Sequence, residues 1–243
     1  MNQHFKDGQT IEEWCLGNIG CELYNLLIRD YTIKHWKQDP KNLPASIIKR
    51  LPIKFNYNNN YFNDKYQGIP IYGYTNLIKN MLDNPLIHIK LSTALPKNWE
   101  KYSHKLIYSG RPDVLLNYEY GDLPYLSMRF DHIWYDQNQQ GISVLNHTDM
   151  SKQYTRTIES KYFMNNTDGV SVVSYEYPQK WDNNLEPYYP LVDEVAQNRY
   201  QKYKNAIESN NSIILGGRLG SYKYYDMHQV IGEALRISER ILK

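Results

Sequence analysis

The stretch from Ser212 to Leu235 constrains this chain more than any other. Ile213, Ile214 and Leu215 form a short apolar run of the kind that becomes a buried strand. Gly216 and Gly217 follow, allowing a sharp turn or a close backbone approach. Arg218 then places a planar cation with several donors beside that turn. Asp226 with Gln229 predicts a helix N-cap and capping box. Met227, Val230, Ile231, Ala234 and Leu235 recur at helical spacing and predict one apolar face. Strand, glycine turn, arginine and helix start together suit a nucleotide phosphate. An ordinary strand-to-helix joint has the same pattern.

Elsewhere the periodicity divides the chain. Thr10 and Glu13 predict a capping box for a first helix, and Glu22 to Ile28 a second helical run with Leu23, Leu26 and Leu27 inward. Pro40, Pro44 and Pro52 break regular structure around Lys49 and Arg50. Tyr74, Leu77, Ile78, Met81 and Leu82 predict a helix. Ile87, Ile89 and Leu91 alternate as in a strand, and Leu106 to Tyr108 predicts another. From Tyr125 to Tyr177 the period is that of strands throughout: Leu126, Met128 and Phe130; Ile142 and Val144; Tyr154, Arg156 and Ile158; Val170 and Val172. Short polar joins make this an antiparallel sheet. Arg156 lies on a half-buried face and needs an anion, either a structural carboxylate or a ligand phosphate. Val195 to Ile207 predicts a helix capped near Asp193.

The fold class expected is therefore mixed α/β. Its parts are helices with a loop (residues 1–50), a connecting segment (51–114), an antiparallel sheet (115–190) and a C-terminal helix-strand-helix (191–243). The 243 residues suffice for a sizeable core, and a net charge of +2 leaves no nucleic-acid footprint. No apolar run reaches membrane-spanning length, so a cytoplasmic protein is expected. The two cysteines, Cys15 and Cys21, match neither a disulfide framework nor a zinc site. There is no P-loop, no G-x-G-x-x-G, no H-E-x-x-H and no Ser-His-Asp set. What remains is Arg, Trp, Asn and 24 tyrosines. Those side chains bind phosphate, base and sugar, although an AT-rich genome also enriches Tyr and Asn.

Six strings then agree in order and spacing. They are Tyr31-Thr-Ile-Lys-His-Trp36, Leu43-Pro-Ala-Ser-Ile-Ile-Lys-Arg-Leu-Pro52, Tyr61-Phe-Asn-Asp-Lys-Tyr-Gln-Gly-Ile-Pro70, Tyr154-Thr-Arg156, Glu186-Pro-Tyr-Tyr-Pro190, and Gly216-Gly-Arg-Leu219 with Tyr222-Lys-Tyr-Tyr-Asp-Met227. Together they resemble the UDP-galactopyranose mutase family over nearly the whole chain. The resemblance implies interconversion of UDP-galactopyranose and UDP-galactofuranose through a reduced-flavin N5–sugar adduct, with UDP leaving and returning and no net redox change. The alternative is an inactive UDP-sugar-binding remnant or interaction module without flavin.

By the same resemblance, Arg50 and Arg156 hold the diphosphate and act in catalysis. Tyr31 stacks on uracil, Trp36 lies near the sugar, and Tyr61, Tyr189 and Tyr224 contact phosphate. Asn146 and Asp226 complete the substrate set, and Gly217 and Arg218 contact FAD. Leu43 to Ile53 resembles a mobile loop, residues 1–50 the end of the family's helical domain, 115–190 its substrate-binding sheet, and 51–114 with 191–243 discontinuous remnants of its Rossmann-like FAD domain. The family's opening strand and G-x-G-x-x-G turn are not in this sequence, which implies a separate or preceding flavin-binding half as partner; a homodimer is a family trait. Tyr72 stands where the family has glycine, Gln153 where it has proline, and Ser109-Gly-Arg-Pro112 where it has a Gly-Pro-Ile-Asp turn.

Overall fold

The computed structural model describes residues 7–49, 51, 53–58, 60–166 and 168–242. In chain order the elements are α1 (Ile11–Asn18), α2 (Gly20–Leu23), a π-helical segment (Tyr24–Arg29), α3 (Asp30–Trp36), α4 (Ser46–Lys49), α5 (Gly73–Met81), β1 (Leu106–Tyr108), α6 (Pro112–Leu115), β2 (Tyr125–Tyr135), β3 (Val144–Asn146), β4 (Arg156–Glu159), β5 (Ser171–Lys180), β6 (Tyr189–Pro190), α7 (Glu194–Glu208), β7 (Ile213–Leu215), α8 (Gly217–Gly220) and α9 (Met227–Ile241). Among the described residues five strands form one sheet in the order β3-β4-β5-β2-β6, with antiparallel pairing at β2–β6, β3–β4 and β4–β5. The chain forms two compact units. One comprises residues 1–94 and 130–177, the other 95–129 and 178–243.

In the first unit, α1 opens with the capping box read from Thr10 and Glu13. It holds the following proline-rich stretch: Ile11 N–H donates to Leu43 O at 2.9 Å and Ala45 N–H to Gln9 O at 2.8 Å. Leu43, Ala45 and Ile48 are buried, so the first half of the segment read as a mobile loop is anchored on α1. The run from Glu22 to Ile28 is helical, but Leu23, Leu26 and Leu27 are exposed, not inward. The buried residue is Tyr24, whose hydroxyl donates to Glu12 Oε2 at 2.9 Å. An α-helical phase would bring Leu27 beside it; the wider π turn rotates Leu27 away.

The helix read from Tyr74 onward is α5, and its apolar stripe lies largely exposed. The strand expected at Ile87 to Leu91 does not form. That segment is exposed and joins no ladder among the described residues, and alternation without a neighbouring ladder does not make a strand. Val170 lies before β5 and is exposed, Val172 is half-buried, and Val173 and Glu176, an odd number of positions apart and so on opposite faces, are both buried.

The second unit is built on a parallel pair, Leu106–Tyr108 of β1 against Ile213–Leu215 of β7, and the Gly216 N–H extends the ladder to Tyr108 O at 3.0 Å. Its core gathers Leu123, Tyr125, Ala196, Tyr200, Tyr203, Ile207, Leu215 and Tyr222. Half of these are tyrosines, and three of them end on main-chain carbonyls. Tyr203 donates to Gly121 O at 2.8 Å, Tyr200 to Gly220 O at 3.2 Å, and the Tyr222 hydroxyl lies 2.7 Å from Pro124 O. A buried phenol is tolerated when its hydroxyl is so satisfied. Part of the tyrosine excess is therefore core material.

α7 carries the Asp193 cap, which accepts from Ala196 N–H at 2.7 Å. α9 carries the reciprocal Asp226–Gln229 box. The face of α9 formed by Met227, Ile231 and Leu235 is exposed, whereas Ile237 is buried. The glycines of the opening turn are accounted for by packing on β1. Gly217 has φ +71°, and a Cβ on Gly220 would meet Tyr108 O at 2.6 Å. Gly220→Ala is therefore expected to cost about 1–3 kcal/mol, since backbone and not a flexible side chain must yield. Thermal unfolding checks this.

Candidate functional site

In the first unit the functional candidates converge on Arg156. It begins β4 directly opposite two partners in the ladders: Asn146 on β3 and Glu176 on β5. This register places three polar side chains in one row across the sheet. Arg156 Nε donates to Asn146 Oδ1 at 3.2 Å, Nη2 donates to the Tyr31 hydroxyl at 3.3 Å, and Nη1 lies 3.6 Å from Glu176 Oε2.

Glu176 is the residue the sequence reading missed. Its other carboxylate oxygen is buried with no hydrogen-bond partner. Burial pushes its pKa up, and Arg156 pulls it part-way back. Of the two anions left open for Arg156, the structure thus supplies a carboxylate. The guanidinium thus lies beside Glu176 and bonds the neutral Asn146 and Tyr31 side chains. The signal was available: a lone acidic residue in the alternating run of β5.

Tyr31 comes from α3, its ring stacked on His35 at 5.8 Å with an interplanar angle of 8°. Trp36 closes the same helix and is buried, its indole edge-on to His35. α3 stops there because Lys37 turns left-handed at φ 54°. Tyr61 is apart from this group. It lies exposed in a loop, against Phe62 at 4.7 Å. Arg50 lies outside the described residues.

In the second unit a separate cluster forms around Arg218. Its Nε donates to Tyr225 O at 2.9 Å and its Nη1 to Tyr188 O at 3.2 Å. The guanidinium carbon lies 5.1 Å from the Tyr189 ring and 5.6 Å from the Tyr224 ring, and those two rings stack at 4.7 Å. The cation thus fastens the glycine turn to the strand end and to the loop after α8. Asp226 caps α9 close by in sequence. A hollow of about 560 Å³ in this unit runs along Ile213 to Leu215 of β7 and is rimmed by Lys105, Lys204, Lys223 and Arg240.

A flavin fits these residues only along one edge. Arg218 and the stacked tyrosines offer a fixed cation and flat faces. The Cβ sides of the glycines face protein: a Cβ on Gly217 would meet Ser109 Cβ at 3.2 Å and one on Gly220 would meet Tyr108 O at 2.6 Å. Around Arg156, in contrast, a guanidinium, a tyrosine hydroxyl, an asparagine and an aromatic ring come together, side-chain types that can bind phosphate and base.

The profile of the family described as UDP-galactopyranose mutase matches residues 26–224. This chain belongs to that family. It is 42% identical over 96% of its length to a Klebsiella pneumoniae protein named probable UDP-galactopyranose mutase, of which it covers 61%. It is 35% identical to the dTDP-fucopyranose mutase of Escherichia coli, aligned over all of this chain and 66% of that protein. The chain thus spans roughly three fifths to two thirds of these relatives. In fold it is similar to a crystal structure of reduced UDP-galactopyranose mutase, with a TM-score of 0.67 at 15% identity, over 89% of this chain and 64% of that one. Residues 26–224 take in every candidate site residue except Asp226. Among the described residues no helix is long and apolar enough to cross a membrane.

Proposed function

We propose that this chain carries the nucleotide-sugar-binding part of a mutase that interconverts the pyranose and furanose forms of UDP-galactose. The observation that carries this reading is Arg156 framed by Tyr31, Asn146 and Glu176. In this reading the Tyr31 ring stacks on the pyrimidine and Arg156 takes the diphosphate. Asn146 and Glu176 fix the guanidinium plane, so that little reorganisation is needed when charge develops on the departing phosphate. Arg50 supplies a second guanidinium. Trp36 and Tyr61 bound the sugar and phosphate, and Tyr189 and Tyr224 present phenol groups to the ligand. Asp226 acts mainly by setting the start of α9. Gly217 and Arg218 meet the edge of the flavin. Bound reduced FAD would supply the nucleophile for the anomeric carbon.

The hollow along β7 and the exposed face of α9 are read as the seat of the part of the family fold that these residues do not supply. A parallel pair is stable when further strands and helices cover it. This chain's partner in catalysis would be that flavin-binding part.

The test has two stages. Calorimetry with UDP measures the nucleotide part, and dTDP in parallel decides between the two ligand classes named by the relatives; UDP is expected to bind more tightly. Furanose formation is then assayed with dithionite-reduced FAD after adding the dinucleotide-binding part of the family. Turnover is expected. UDP binding without FAD uptake or turnover by the assembled protein would favour a binding module instead.

A further inference from the structure

Two of the ties between α3 and the β3–β4 hairpin bear on the candidate site. One is the contact of Arg156 with Tyr31. The other is Lys34, one helical turn beyond Tyr31 and only 5% exposed. Its ammonium donates to the carbonyls of His147 and Asp149, both at 2.6 Å, and lies 3.3 Å from those of Lys152 and Tyr154. Three N–H groups thus serve four oxygens of the loop that joins Asn146 to Arg156. A buried charge must be met in this way. A compact ammonium with diverging donors suits the site, where a planar guanidinium does not. Burial pushes the Lys34 pKa down, and Asp149 and Asp30 oppose this.

The two ties differ in what a ligand does to them. A diphosphate arriving at Arg156 and a pyrimidine arriving at Tyr31 draw on the same two side chains that make the first tie. Lys34 has no such demand on it. We infer that Lys34 is a positioning residue: through the 147–154 loop it sets the separation of the Tyr31 ring and the Arg156 guanidinium, so that one pyrimidine nucleoside diphosphate engages both. This rests on the nucleotide reading above.

The test compares UDP with uridine by calorimetry in the full chain, for wild type, Lys34→Met and Lys34→Ala. Uridine asks only for the Tyr31 side, whereas UDP needs both groups at once. Lys34→Met is expected to weaken UDP by about tenfold or more and uridine by no more than about twofold, since one charge-assisted anchor is lost. Adding propylammonium, which replaces the atoms removed in Lys34→Ala, is expected to restore UDP binding; tetramethylammonium, which has no N–H, is not. A folded variant whose UDP-to-uridine affinity ratio equals that of wild type overturns the inference. So do variants that stay unfolded with propylammonium present, because Lys34 is then a fold residue only. Wild-type protein that binds neither ligand overturns the nucleotide reading, and the positioning role falls with it.

Discussion

Replacing Arg156 with alanine is expected to abolish tight UDP binding and, separately, to make the stability of the protein depend on pH. The first effect is the loss of a charged donor to phosphate, about 1.5–3 kcal/mol or roughly 10–100-fold in affinity. The second comes from Glu176. Its carboxyl is buried, burial raises its pKa, and Arg156 is the cation that offsets this. The folded protein therefore holds the Glu176 proton more tightly than the unfolded chain does. Below the ordinary carboxylate range the group is protonated in both states and costs nothing. As pH rises through that range and on through the raised value, ionised Glu176 penalises the folded state, and above it the penalty is complete. Without Arg156 the penalty grows and its window extends to higher pH. Arg156→Ala should thus melt close to wild type near pH 4 and well below it at pH 8. The double variant Arg156→Ala/Glu176→Gln should recover the melting temperature at pH 8 without recovering UDP affinity. If Arg156→Ala runs parallel to wild type across this range, Glu176 is not coupled to the guanidinium.

This coupling shows what the sequence made legible. Arg156 on a half-buried strand face demanded an anion, and that demand could be stated before any partner was known. Which strand supplied the partner could not, because ladder register between Arg156 and Glu176 is a nonlocal fact. Local devices were readable throughout. The Thr10–Glu13 and Asp226–Gln229 boxes and the Asp193 cap each satisfy the first donors of a helix within a few residues. The β1 and β7 segments were readable as apolar runs ended by glycine. Periodicity, in contrast, gives a face but not what covers it. Ile78 and Leu235 both fall on correctly phased apolar stripes and both are exposed. The tyrosines carried two messages at once. Tyr31 stands at the candidate site, while Tyr203 and Tyr222 close a core with their hydroxyls on carbonyls. Composition alone cannot separate the two.

The turn at Ser109-Gly-Arg-Pro112 leads to the largest stability effect expected in the second unit. Arg111 Nη2 meets Asp113 Oδ2 at 2.7 Å, with the Asp113 side chain wholly buried. The guanidinium carbon lies 4.2 Å from the Trp181 ring centre and 5.3 Å from that of Tyr125. Asp113 in turn accepts from the Val114 and Leu123 N–H groups, which fixes the segment leading into β2. The arginine is therefore part of a packed cluster: a cation between aromatic faces neutralises a buried carboxylate that also organises main chain. Asp113→Ala leaves a desolvated guanidinium and orphaned N–H groups, and should cost about 3–5 kcal/mol. Arg111→Met keeps much of the packing on Trp181 but strands the carboxylate, and should cost about as much. Because each single change removes the same pairing, the double variant should cost far less than the sum, with a coupling of about 2–3 kcal/mol in a denaturant-unfolding cycle. Additive losses would mean that Arg111 and Asp113 act independently, the arginine through the aromatic rings and the aspartate through the main chain alone.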